Sequence, residues 1–100
     1  MTPNQRLAAY KQIMAGEAIL LDVRTQRERE DDGFEPKSIH MDYELFVAGK
    51  LPDLPKESII YIHCRSGARS GIIAQVLKAH GFKNVSNFGG FTDWIALRKI

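Results

Sequence analysis

Two rhythms of apolar residues alternate along this chain, one at helical spacing and one in short unbroken runs. Between Met1 and Gly16, Leu7, Tyr10 and Met14 recur at helical spacing with Ala9 and Ile13 beside them. Thr2 suits an N-cap, Pro3 the first helical position and Gly16 the stop. Ala18 to Val23 is an apolar run closed by Asp22-Val23-Arg24 and reads as a buried strand. Thr25 caps a charge-dense surface helix over Gln26 to Asp32. The loop from Gly33 to Met41 carries a short strand at Ser38 to Met41, followed by a brief helix over Asp42 to Ala48. Gly49, Pro52 and Pro55 make the stretch to Lys56 a loop. Ser58 to His63, β-branched and aromatic, is a second buried strand. Cys64 to Arg69 is a polar turn. A helix then runs to about His80, its apolar face formed by Ile72, Ile73, Val76, Leu77 and His80, with Gly81 as its stop. Val85 to Phe88 is a strand, Gly89-Gly90 a turn, and Phe91 to Lys99 a last helix with Phe91, Trp94, Ile95 and Ile100 inward. Strands alternating with helices predict an α/β fold, a parallel sheet with helices on both faces.

A chain of 100 residues is one domain, and 44% apolar with 26% charged residues is globular rather than disordered. The net charge of +2 gives no case for nucleic acid or a membrane as partner. No signal-like or membrane-spanning run is visible, so a cytoplasmic location is expected. The single cysteine, Cys64, closes no internal disulfide and builds no cysteine-rich zinc site. His40, His63 and His80 are scattered without paired carboxylates, so no metal is expected. Cys64 is therefore either an inert buried residue or a reactive one.

Its surroundings favour reactivity. Cys64-Arg65-Ser66-Gly67-Ala68-Arg69-Ser70 follows an apolar strand and opens a helix. Open parallel sheets place ligands at the carboxyl ends of their strands. A tight strand-to-helix turn points unpaired N–H groups inward, and the helix dipole adds partial positive charge. Gly67 lets the backbone curl around a guest atom. Arg65 and Arg69 are expected to add fixed positive charge. Such settings lower a thiol from about 8.5 towards roughly 3.5–7.5, and the thiolate is the nucleophile.

Leu20-Leu21-Asp22-Val23-Arg24-Thr25, then Cys64 to Ser70, then Asn87-Phe88-Gly89-Gly90-Phe91-Thr92-Asp93-Trp94 resemble, in order, the motifs of single-domain rhodaneses, the thiosulfate:cyanide sulfurtransferases. The resemblance implies a three-layer rhodanese-like fold and a double displacement. Cys64 would take a sulfane sulfur from a small anionic donor such as thiosulfate. It would pass that sulfur from a persulfide to cyanide, a thiol or a protein. No cofactor beyond that covalent intermediate is implied. The loop residues Arg65, Ser66, Gly67, Ala68 and Arg69 would bind the anion. Two alternatives remain at this point: a cysteine phosphatase or arsenate reductase, and a non-catalytic binding module. Phosphatase loops are one residue longer than the four, Arg65 to Ala68, that separate Cys64 from Arg69 here.

Asp22 and Arg24 end the first strand near the same sheet edge, as a structural ion pair or simple loop anchors. Trp94 reads as core, and His63 as an interior histidine facing away from Cys64. The segment Gly33-Phe34-Glu35-Pro36-Lys37-Ser38 keeps only the glycine and proline of the family's usual Gly-His-Ile-Pro-Gly-Ala. The departure bears on substrate preference. The edge strand that often precedes the first helix is missing or reduced, so a sheet of four to five strands is expected, with four the closer count.

Overall fold

A computed structural model of the chain describes residues 1–98. The elements are α1 (Pro3–Met14), β1 (Ile19–Asp22), α2 (Gln26–Asp32), β2 (Ile39–His40), α3 (Tyr43–Val47), β3 (Ile59–Cys64), α4 (Ala68–Ala79), β4 (Asn84–Gly90) and α5 (Phe91–Arg98). The four strands form one parallel sheet in the order β2-β1-β3-β4. Lys99 and Ile100, expected at the end of the last helix, lie outside the described residues.

The caps read from sequence are present. Thr2 and Gln5 form a capping box at α1, and Thr25 and Glu28 form a second at α2. Alternation along the central strands splits the core in two. Ile60, Ile62 and Cys64 face Ile73, Ala74 and Leu77 of α4. Leu20 and Phe88 face Ala9 and Ile13 of α1 and Trp94 of α5. His63 therefore points away from Cys64, and its ring stacks on Phe91 with centroids 5.6 Å apart.

Three expectations need correction. The buried stripe of α4 is Ser70, Ile73, Ala74 and Leu77, whereas Ile72 and His80 are exposed. Ser70 and Ala74 join Ile73 and Leu77 against the sheet, because the helix enters from a tight turn that fixes its rotation. Leu7 is exposed, so α1 buries Ala9 and Ile13 instead. Gly89 and Gly90 are not a turn but the end of β4. There the pairing with β3 slips: Ile62 faces Asn87, yet His63 faces Gly89, leaving Phe88 extra. Such a bulge re-aims side chains beside it.

Candidate active site

Cys64 is the last residue of β3 rather than the first of the turn. It is fully buried. Its Sγ lies 3.0 Å from the Gly67 amide, 3.5 Å from the Ser70 amide and 3.4 Å from the Ser70 hydroxyl. Ser70 is the third residue of α4, whose N-cap, Gly67, offers no side chain to the helix. The sulfur thus accepts the amide that a capping Ser or Asp oxygen ordinarily takes. Gly67 holds this geometry at φ +101°, in the left-handed region that favours glycine.

Two influences oppose each other at the thiol. Burial pushes the Cys64 thiol up, while hydrogen bonds from Ser70 and from the Gly67 and Ser66 amides push it down. The net position is below an ordinary cysteine. Neither loop arginine makes a hydrogen bond to the sulfur among the described residues. Arg69 reaches away to Glu28, with its two terminal nitrogens 2.7 Å from the two carboxylate oxygens. That clamp holds the Glu28 carboxyl down at about 2, while Arg69 still feels the Cys64 charge from across the loop. Arg65 is exposed, and no ion pair holds it among the described residues. Ser66 and Ala68 are exposed on the loop. Arg65 borders an open cleft of about 610 Å³ with Asp32, Phe91, Thr92, Ile95 and Ala96.

Asp22 and Arg24 form the expected ion pair, fully buried, with Arg24 Nη2 2.9 Å from Asp22 Oδ2. Arg24 also donates to the Gly33 carbonyl at 2.9 Å and lies over the Phe91 ring at 4.0 Å. Arg29 adds a second cation, 3.0 Å from the same carboxylate oxygen. Burial pushes Asp22 up, but the hydrogen bonds from Arg24 outweigh it and the carboxyl stays below its ordinary range. His63 Nε2 lies 3.7 Å from Asp22 without a hydrogen bond. Burial pushes this imidazole down, so it is neutral at pH 7. Its Nδ1 lies 3.2 Å from the Cys64 carbonyl, a backbone contact rather than one to the sulfur. In the atypical segment, Glu35 is buried and Ser38 donates to its carbonyl at 2.6 Å, while Phe34 lies against Arg29.

Glu28, Arg29 and Asn87 are site residues that the sequence reading passed over. The Thr25-x-x-Glu28 capping signature marked Glu28 as an ordered side chain. Asn87 lay inside the motif before Gly89-Gly90 but had no assigned partner. Nothing in the local pattern marked Arg29, because a charge run on a short helix ordinarily faces solvent.

The chain matches the Rhodanese-like domain over residues 6–97. It is 32% identical over 92 residues to a sulfurtransferase of Allochromatium vinosum, covering 91% of this chain and 79% of that protein. It is 36% identical over 76 residues to the adenylyltransferase and sulfurtransferase uba4 of Ogataea parapolymorpha. That match covers 75% of this chain but only 19% of the longer protein. Among solved structures, a rhodanese-related protein from Thermoplasma volcanium superposes with a TM-score of 0.77 at 25% identity, covering 91% of this chain and 87% of that one. With the motifs in order, the four-stranded parallel sheet and the cysteine at the head of α4, the chain belongs to the rhodanese-like domain family.

Proposed function

We propose that the protein is a sulfurtransferase that carries sulfane sulfur as a Cys64 persulfide, taking it from an anionic donor such as thiosulfate and yielding it to a thiol, cyanide or protein. The observation that carries this reading is the Cys64 sulfur capping α4, held at 3.0 Å by the Gly67 amide inside a loop of four intervening residues. In the first step the thiolate attacks the outer sulfur of thiosulfate. The S–S bond breaks, and sulfite leaves with the bonding pair. Cys64 then carries the outer sulfur with its negative charge, and charge balances without a proton donor. In the second step the acceptor attacks that outer sulfur and the Cys64 thiolate departs. Converging amides stabilise either anion in place. Arg65, unpaired at the cleft, suits the sulfonate of the donor. Glu28 is locked ionised by Arg69 and is no general acid, which weighs against phosphate-ester chemistry.

Incubation with thiosulfate and intact mass measurement tests the reading. The protein should gain the mass of one sulfur atom, and Cys64→Ser should gain none. Absence of persulfide with thiosulfate and with an organic persulfide donor would overturn it, and turnover of an aryl phosphate would replace it.

A further inference from the structure

Ser70 is fully buried, and its hydroxyl has one proton to give. Three acceptors surround that oxygen. Asn87 Oδ1 is nearest at 2.7 Å, and Cys64 Sγ and the Gly89 carbonyl are each at 3.4 Å. The proton therefore cannot serve Asn87 and the sulfur at once. Asn87 itself is fixed from two sides. Its Oδ1 accepts the Gly89 amide at 3.1 Å, and its Nδ2 donates to the Gly67 carbonyl at 3.0 Å. Those two backbone groups set which end of the amide faces Ser70. The bulge between Asn87 and Gly89 aims the side chain across the sheet edge at the loop.

We propose that Asn87 is a positioning residue for the nucleophile: it is the resting acceptor for the Ser70 hydroxyl, which turns to Cys64 Sγ only while that atom carries the negative charge. The idea deepens the persulfide reading and rests on it for its purpose. In the thiol, Sγ is a weak acceptor and the hydroxyl rests on Asn87. In the thiolate, the proton turns to the sulfur, and Asn87 Oδ1 keeps the Gly89 amide as its donor. In the persulfide the charge moves to the outer sulfur, and the hydroxyl returns to Asn87. A buried hydroxyl is thus never unpaired as charge moves off Sγ and back, and leaving one unpaired is costly. No covalent bond changes in this exchange. The thiol proton itself passes to water.

The charged groups around Cys64 do not duplicate this device. Arg69 is clamped to Glu28 of α2 and feels the charges of Cys64 and of Asp42 ahead of α3, but among the described residues it makes no hydrogen bond to the sulfur. Arg65 is exposed, and His63 lies across the sheet. Asp93 of α5 accepts the Gly90 amide and pairs with Arg6.

The test is the pH dependence of Cys64 alkylation by iodoacetamide, which reads the thiolate without any sulfur transfer. Its outcome is therefore separable from that of the thiosulfate experiment. Asn87→Leu removes the competing acceptor at similar size, and the Gly67 carbonyl keeps the Gly71 amide at 3.1 Å. The Cys64 pKa should fall by about 0.5–1 unit, roughly three- to tenfold more thiolate on the acid side. In a Ser70→Ala background the same substitution should leave the pKa unmoved. A rise in Asn87→Leu, or an equal shift with and without Ser70, would reduce Asn87 to a structural prop and overturn the proposal. A second measurement uses the unsubstituted protein, whatever the variant's folding. The Gly89 amide proton should shift in NMR as Cys64 titrates, since its shared acceptor loses the hydroxyl. A flat Gly89 signal through that titration would equally overturn it.

Discussion

Two strand-to-helix junctions lie side by side at the carboxyl edge of the sheet, and they treat charge in opposite ways. After β1, Asp22 is a fixed anion. Two guanidiniums and a backbone amide satisfy its carboxylate, and it is fully buried. After β3, the Cys64 sulfur is held by amides and a hydroxyl, and in the proposed reaction its charge comes and goes. Side-chain cations bind tightly but leave a buried charge stranded when their partner is lost. Backbone amides are neutral dipoles, fixed by the fold, and tolerate the sulfur in more than one charge state. The first arrangement builds a wall, and the second suits the nucleophile proposed for Cys64. The two meet through the His63–Cys64 backbone, through the Phe91 ring that Arg24 and His63 share, and through the Glu28–Arg69 clamp.

The largest effect should come from breaking the fixed cluster. Asp22→Asn leaves Arg24 and Arg29 buried without a counter-charge, and removing one partner of a buried pair costs about 3–5 kcal/mol. Against a typical total of about 5–15 kcal/mol, urea unfolding should move far to lower denaturant. A cost under about 1 kcal/mol would mean that water reaches the cluster, and the contrast between the two junctions would collapse.

Next in size is a steric test of the second junction. A Cβ on Gly90 would sit 2.5 Å from the Arg65 carbonyl oxygen, a backbone atom that cannot step aside without moving the loop. Gly90→Ala should cost about 1–3 kcal/mol. Cys64 should also lose its enhanced alkylation at low pH, because the amides around Sγ move with Arg65. Unchanged alkylation in a destabilised Gly90→Ala would show that the sulfur does not depend on this packing.

Much of this contrast was legible before any coordinates. The order of elements, the caps at Thr2 and Thr25, and the placing of Cys64 at the strand-to-helix junction all follow from local patterns within a few residues. What escaped was long-range pairing. Glu28, far back in the chain at 41 positions' separation, is a partner of Arg69 that no local pattern announces. Arg29 reads as solvated until the sheet brings Asp22 beneath it. The bulge at Asn87 was hidden because two glycines after a strand ordinarily announce a turn, whereas here they let β4 run close past the loop.

A smaller effect belongs to the Glu28–Arg69 clamp, which joins the two junctions. The folded Glu28 carboxyl sits at about 2, below its ordinary 4.5, so ionised Glu28 favours the folded state. That contribution is full at neutral pH and is lost as pH falls from about 4.5 towards about 2. Both side chains are partly exposed, so Glu28→Gln should cost only about 1 kcal/mol at pH 7. The gap between variant and wild type should close in that acid window. An equal cost of Glu28→Gln in an Arg69→Ala background would assign Glu28 to helix capping through Thr25 rather than to the ion pair.

Arg65→Ala should move stability least, within about 0.5 kcal/mol, because an exposed guanidinium without a partner stabilises nothing. Its effect should instead fall on the donor. A charge-assisted contact to the sulfonate of thiosulfate is worth about 1.5–3 kcal/mol, so KM for thiosulfate should rise roughly tenfold or more. KM for an uncharged persulfide donor should stay where it is, and the Cys64 alkylation profile should not shift. That pattern separates the two arginines of one loop: Arg69 spent on the scaffold through Glu28, and Arg65 left free at the cleft for the substrate. An equal loss with charged and uncharged donors would place Arg65 on the scaffold side too, and the nucleophile would then draw its anion selectivity from backbone amides alone.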